Sequence, residues 1–146
     1  MTVRKILWLE NELRYHQIFA DYLRMKGHEV QMTGRVSEAE ALLGSGAFDL
    51  LILDVMIPTW DEDEEKLYPP DETDRGHLTG LAFYRKMQKN PDLKAIPVLV
   101  YTIRLDTQLL DAFRQEGLPD GCFATKFEYR DPEALLQKLE EIARAM

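Results

Sequence analysis

Leu50-Leu51-Ile52-Leu53 places four apolar side chains in succession, and a strand cannot present such a run without burying both of its faces. The run belongs to the stretch 48–53 and is ended by Asp54, with Pro58 following closely. It reads as a central strand of a parallel sheet covered by helices. In open sheets of that kind all carboxyl ends lie along one edge, where ligands usually bind. Asp54 is therefore expected at that edge, as a turn cap or as a reactive carboxylate.

The rest of the chain repeats the pattern. Ile6-Leu7-Trp8-Leu9 is a second apolar run, ended by Glu10 and Asn11, and residues 96–101 are a third, ended by Thr102. Val30 to Thr33 alternates as an edge strand does. A short strand at 121–125 runs into Lys126. Between the strands, Tyr15, Ile18, Phe19, Tyr22 and Leu23 recur at helical spacing before Gly27. Ser37 with Glu40 has the form of a capping box, and Leu81, Phe83, Tyr84 and Met87 mark a third helix. Leu109, Leu110 and Phe113 mark a fourth. Asp131-Pro132 supplies a cap and a first-turn proline for a last helix, whose face is Leu135, Leu136, Leu139 and Ile142. Five strands alternating with five helices predict an α/β fold, a doubly wound five-stranded parallel sheet in one domain spanning 1–146.

Composition narrows the function. With 45% hydrophobic and 30% charged residues, the chain is an ordinary globular protein, and it has neither a membrane-spanning apolar stretch nor a signal-peptide layout at its start. A cytoplasmic location without membrane contact is expected. The formal charge of −8 argues against direct nucleic-acid binding. Of that charge, −6 falls in residues 59–79, where eight acids face only Lys66 and Arg75. Cys122, the single cysteine, rules out an internal disulfide and reads as a small core residue. His16, His28 and His77 have no metal-ligand spacing and are expected at the surface or on helix flanks. Motifs of hydrolases and nucleotide binders are absent, so an independent enzyme is a poor reading.

Taken together, the strand ends carry Glu10 and Asn11, Asp54, Thr102 and Lys126 on one side of the sheet. Two carboxylates and an amide oxygen suit a hard cation such as Mg²⁺, and a hydroxyl with an ammonium suits an anion. That set is one for moving a phosphoryl group, a reaction governed by positioning and charge neutralisation. At this point the chain resembles the receiver domain of bacterial two-component response regulators, the flavodoxin-like receiver fold, over nearly its whole length. The spacings carry the likeness: 43 residues from Asn11 to Asp54 and 24 from Thr102 to Lys126.

The resemblance implies that Asp54 is the phosphoacceptor in a phosphorelay, and that Glu10, Asn11, Asp54 and the backbone carbonyl of Met56 form the Mg²⁺ site, Glu10 mostly through water. It further implies that Lys126 and Thr102 bind the phosphoryl oxygens and that Phe123 is the switch aromatic; read as a residue alone, Phe123 is equally a core aromatic. The domain would assist its own phosphoryl transfer and dephosphorylation. The implied partners are a sensor histidine kinase or phosphotransfer protein, a downstream effector protein and, as a homodimer, a second copy of the chain.

Several positions depart from that family's pattern. Asn11 stands where a second acid is usual, which weakens Mg²⁺ binding by about 1–4 kcal/mol, and Glu10 is long enough to recover part of the loss. Phe127 replaces a proline, which leaves the aim of Lys126 less constrained, and the bulky Ile103 is expected to crowd the pocket. Gly80 lies 26 residues after Asp54, implying an acidic insertion at about 59–79. Trp60, Leu67 and Tyr68 are expected to anchor that segment and Pro69-Pro70 to stiffen it, or else the whole is a solvated loop. Asp61, Asp63, Glu65 and Glu72 have calcium-loop spacing, but Lys66 stands where the sharp turn needs glycine. A negative loop beside an anionic site would instead select a basic partner. These departures leave a second reading open, a degenerate pseudo-receiver acting as a phosphorylation-independent binding module. A flavodoxin-like cofactor binder is the third, and the Glu10-Asn11 turn offers it no phosphate cradle.

Overall fold

The computed structural model describes residues 3–104 and 106–145. Five strands, β1 (Lys5–Leu9), β2 (Glu29–Thr33), β3 (Leu50–Leu53), β4 (Val98–Thr102) and β5 (Phe123–Thr125), form one parallel sheet in the order β2-β1-β3-β4-β5. All four residues of β3 are buried, between β1 and β4, and Val30 to Thr33 lies in an edge strand as expected. Among the described residues seven helices accompany the sheet: α1 (Leu13–Met25), α2 (Val36–Gly44), α3 (Glu62–Leu67), α4 (Pro70–Thr73), α5 (Thr79–Gln88), α6 (Thr107–Gln115) and α7 (Pro132–Arg144). Five match the periodicity of the sequence. The other two, α3 and α4, arise in the acidic segment.

The chain leaves β1 outward to β2 and then returns across it to β3, so the strand order reverses between β1 and β3. A crevice opens at such a reversal, at the carboxyl edge. Glu10 and Asp54 are the residues that follow β1 and β3, and they flank it. The helix expectations hold best for α7, whose buried residues are Leu135, Leu136, Leu139 and Ile142, with Asp131 capping the Glu133 amide at 3.2 Å. Cys122 is buried, as a core residue should be.

Two local expectations are corrected. The face of α1 that meets the sheet is His16, Ala20 and Leu23, while Tyr15 and Ile18 are exposed. His16 and His28 are therefore interior residues, and helical spacing alone could not choose between the two stripes because aromatics populate both. The capping box at Ser37 also fails: α2 begins one residue earlier, and Ser37 sits inside its first turn.

The partner of Ser37 explains the acidic segment. Glu64, fully buried, accepts hydrogen bonds from the Ser37 amide (2.9 Å), the Ser37 hydroxyl (2.7 Å) and the Trp60 amide (2.7 Å). A carboxylate from α3 thus caps the first turn of α2, where backbone N–H groups lack helical partners and favour negative charge. Asp61 caps α3 through the Glu64 amide at 2.9 Å and pairs with Arg35. Tyr68 closes the far end: it donates to Glu40 at 2.8 Å, stacks on Phe83 with centroids 6.4 Å apart, and carries Lys86 over its ring. Leu67 remains exposed and anchors nothing, and Trp60, also exposed, is tied by its indole N–H, which donates to the Gly34 carbonyl at 3.2 Å, so Tyr68 is the one buried anchor of the three expected. Consecutive left-handed residues Asp74 (φ 50°) and Arg75 (φ 55°) lead into Gly76 (φ 92°), turning the chain back toward α5. Segment 59–79 is folded, and its tie is a buried carboxylate.

Burial opposes the charge of Glu64, but the Ser37 hydroxyl and the amides of Ser37 and Trp60 outweigh it and hold the carboxyl below its ordinary value. A lowered carboxyl contributes stability that is present above the unfolded value, about 4.3, and is lost as pH falls through the folded one. Glu64→Ala leaves buried donors unmet and is expected to cost about 2–4 kcal/mol in urea denaturation, with fast hydrogen exchange at Ser37 and Trp60. An unchanged midpoint and unchanged exchange would mean that the segment is not docked through Glu64.

Candidate functional site

The edge of the sheet brings four of the expected residues into contact. Asp54, 4% exposed, follows β3 and donates its backbone N–H to the Leu9 carbonyl at 2.9 Å, which fixes it beside the end of β1. Its Oδ1 accepts from the Val55 amide at 2.8 Å, and its Oδ2 from the Asn11 amide at 3.3 Å. The Lys126 ammonium stands 3.4 Å from that Oδ2 and 2.8 Å from Glu10 Oε2. Glu10 is fully buried; its Oε2 also takes the Glu12 amide at 2.9 Å, while Oε1 has no hydrogen-bond donor among the described residues. One ammonium is thus shared by two buried carboxylates.

Electrostatics follow from that count. Burial, and then the nearby Glu10 carboxylate, push the Asp54 carboxyl up to about 7, against the pull of Lys126. A second acid in place of Asn11 would push it further. Asn11 is exposed and reaches Asp54 through its backbone.

Behind Glu10 lies His16, whose Nδ1 is 3.0 Å from the Glu12 carbonyl and 3.5 Å from Glu10 Oε1. Burial pushes its pKa down. With a neutral ring, Nδ1–H donates to Glu12, and Trp8 and Tyr101 wall it in at 5.5 and 5.9 Å. Reasoning from the sequence missed this residue. Its place six positions after Glu10, on the inner stripe with Ala20 and Leu23, was the available signal.

Gly80 has a role that its spacing from Asp54 did not indicate. It lies in the first turn of α5 and donates to the Val55 carbonyl at 3.0 Å. A Cβ there would fall on the Asp54 carbonyl oxygen and within 2.7 Å of Val55 Cα, so the helix packs on the acidic strand end with no room for a side chain.

Thr102 and Lys126 are joined through the backbone, the Lys126 amide donating to the Thr102 carbonyl at 2.8 Å. The buried Thr102 hydroxyl accepts from the Arg104 amide at 3.2 Å, closing the turn after β4. Phe123 stands apart from the carboxylates: half-buried, it packs against Phe113 with centroids 6.0 Å apart. Ile103 is exposed rather than turned into the pocket, and so is Phe127. Lys126 keeps its aim without the proline because the turn after it is tied otherwise. Thr125 exchanges hydrogen bonds with Glu128, the Tyr129 amide donates to the Thr125 carbonyl at 3.1 Å, and the Tyr101 hydroxyl donates to the Tyr129 carbonyl.

For a hard divalent cation the donor set is of the right kind. The unmet Glu10 Oε1, the Asp54 carboxylate, the side-chain amide oxygen of Asn11 and the Met56 carbonyl, to which nothing donates among the described residues, all offer oxygen. No cluster of three or more His, Cys, Asp or Glu side chains suited to a metal exists among the described residues. The set fits an ion that retains several waters, as Mg²⁺ does.

Comparison with known proteins agrees with this geometry at the level of fold. A chemotaxis response regulator of Vibrio cholerae, CheY4, superposes with a TM-score of 0.71, 20% identity and coverage of 97% of this chain and 99% of that one. The receiver domain of a signal transduction histidine kinase from Syntrophus aciditrophicus gives 0.72, 23%, 99% and 92%. The N-terminal receiver domain of Klebsiella pneumoniae RstA gives 0.71, 21%, 96% and 98%. The chain has the receiver fold. No protein-family model matches it. Among curated proteins, the one named "probable transcriptional regulator ycf29" of Pyropia yezoensis is 25% identical over 138 residues, 94% of this chain. The chain spans about half, 52%, of that protein's length. No helix among the described residues is long and apolar enough to cross a membrane.

The raised Asp54 carboxyl makes a prediction for the receiver edge. Between its unfolded value near 3.9 and its folded value, the native state holds a proton that the unfolded chain releases, so this group's contribution to stability falls as pH rises through that window. Asp54→Asn carries no such charge. In EDTA at about pH 8 it is expected to exceed the parent in urea midpoint, by an amount on the order of a few kcal/mol at most, with the gap narrowing toward pH 5. A gap independent of pH would rule out desolvation as its cause.

Proposed function

We propose that the chain is a phosphoacceptor response regulator receiver, taking a phosphoryl group on Asp54 from the phosphohistidine of a sensor histidine kinase or phosphotransfer protein. The single observation that carries this reading is the buried cluster at the strand-order reversal, Asp54 and Glu10 sharing the Lys126 ammonium. In the transfer, an Asp54 carboxylate oxygen attacks phosphorus, the P–N bond to the donor imidazole breaks, and the imidazole leaves with the bonding pair as a neutral ring, its other nitrogen having taken a proton from solvent beforehand. The product is an acyl phosphate on Asp54. Mg²⁺ bound by Glu10, Asp54, Asn11 and the Met56 carbonyl would supply positive charge to the phosphoryl oxygens.

The chain's own residues have the remaining tasks. Lys126 moves its charge from the two carboxylates to a phosphoryl oxygen, and the Thr102 hydroxyl, which accepts from the Arg104 amide, donates its own O–H to another. The Val55 and Asn11 amides orient the Asp54 carboxylate for attack. Phe123 and the adjoining β5 and α6 carry the change to an effector protein or a second copy of the chain. The acidic segment, as an insertion beside the site, disfavours small anionic donors and favours a basic partner.

One observation favours the second reading, a binding module that does not turn over. Without a divalent cation, Asp54 is held toward its protonated form, a poor nucleophile, and Lys126 already closes the site. Incubation with phosphoramidate or acetyl phosphate and Mg²⁺, followed by intact-mass measurement, separates the two. Phosphoryl transfer predicts one added phosphoryl mass that is absent from Asp54→Ala and from EDTA-treated protein. No adduct from these donors or from a phosphohistidine-bearing protein would leave the binding module standing.

A further inference from the structure

Glu10 is the group that the movement of Lys126 leaves short of partners. It is fully buried, and two donors meet it, both at Oε2: the Lys126 ammonium at 2.8 Å and the Glu12 amide at 2.9 Å. Its Oε1 is buried too and has no donor among the described residues. When Lys126 turns to a phosphoryl oxygen, a single neutral amide faces a buried negative charge, and a buried ion stripped of its partner is costly.

His16, 8% exposed, stands beside the empty oxygen. Its Nδ1 is 3.5 Å from Glu10 Oε1 and 3.0 Å from the Glu12 carbonyl, to which it donates. Trp8, Tyr101 and Phe19 wall the ring in, with centroids 5.5, 5.9 and 5.4 Å away, so Nδ1 stays directed at the turn between β1 and α1. Glu12 is the N-cap of α1, and an N-cap carbonyl also takes the first backbone bond of its helix, so it keeps a partner if the ring lets go. Tyr101 is no substitute, because its hydroxyl donates to the Tyr129 carbonyl. Of the two acceptors within reach of Nδ1, one is a neutral carbonyl and the other a carboxylate, and bonds to charged acceptors are the stronger.

We infer that His16 is a positioning residue for the phosphoryl-bearing state: as Lys126 leaves Glu10, the Nδ1–H of His16 passes from the Glu12 carbonyl to Glu10 Oε1 and holds that carboxylate at the end of β1. No proton is transferred; one hydrogen bond is exchanged for another. While Lys126 grips Oε2, the carboxylate is held in the position that leaves Oε1 unmet. Released, it needs to turn only enough to close a gap of 3.5 Å to hydrogen-bonding distance. The inference rests on the receiver reading, since it requires Lys126 to move.

Beryllofluoride with Mg²⁺ is the probe, standing in for the phosphoryl group on Asp54, and the ¹⁵N-labelled full chain is followed by NMR. At saturation the Nδ1–H resonance of His16 in the parent is expected to move downfield, as a bond to a charged acceptor requires. His16→Phe keeps an aromatic ring between Trp8 and Tyr101 and removes the donor. It is expected to raise the half-saturating beryllofluoride concentration about tenfold, while Mg²⁺ binding measured without beryllofluoride changes by less than about twofold. A merely structural role would shift both affinities, and the urea midpoint, together. His16→Asn, whose side-chain N–H stands in for Nδ1–H, is expected to recover most of the beryllofluoride affinity. An Nδ1–H resonance that does not move in the saturated parent, or equal beryllofluoride affinity in His16→Phe and the parent, would overturn the inference and leave the receiver reading intact. A parent that binds no beryllofluoride would overturn both.

Discussion

A strand with no polar face has to be covered on both sides, and β3 is such a strand. That constraint forces a parallel sheet with helices on either side, and a parallel sheet gathers every strand's carboxyl end at one edge. Asp54 and Glu10 are then adjacent because β1 and β3 are adjacent, and both are dry because the helices that cover the sheet also cover its rim. Two acids in that position repel. Lys126, delivered by β5 and held through Thr102, is the counter-charge that makes their proximity tolerable. The chemistry proposed for the edge is a use of that electrostatic tension.

Much of this was legible in the sequence, and the reasons are physical. Unbroken apolar runs have one interpretation in a chain of this length, so the strands, their parallel arrangement and the common edge followed. The residues immediately after each run, Glu10, Asp54 and Lys126, were legible for the same reason, since a strand end has a fixed address in the sheet. What could not be read was anything decided by tertiary partners. The inward stripe of α1 depends on which of two overlapping sets of side chains the sheet accepts, and His16 looked like a flank residue until Trp8 and Tyr101 were beside it. The role of Gly80 could not be read either, because the approach of α5 to Asp54 is a contact between distant segments.

The acidic segment shows the same boundary more sharply. Its charge suggested solvent, and its apolar residues suggested anchors, yet the residue that fastens it is an acid. Glu64 is one of eight similar carboxylates, and its place three residues after Asp61 marks it locally as a partner in the α3 cap, not as the tie to α2. Its distinction lies in meeting the first turn of α2 after Ser37 has been placed there. Burying one acid under three donors turns a segment of high negative charge into a folded one.

Because Glu64 holds the start of α2, Tyr68 joins α2 to α5 through Glu40 and Phe83, and Gly80 seats α5 on Asp54, the segment works as a crossbrace that reinforces the direct Lys86–Glu40 pair (3.5 Å) between the two helices. A truss of this kind shares displacement among its members. Movement at the β3 end is geometrically linked to α5 by direct contact and, through the brace, to α2, so three separate parts of the chain are mechanically one.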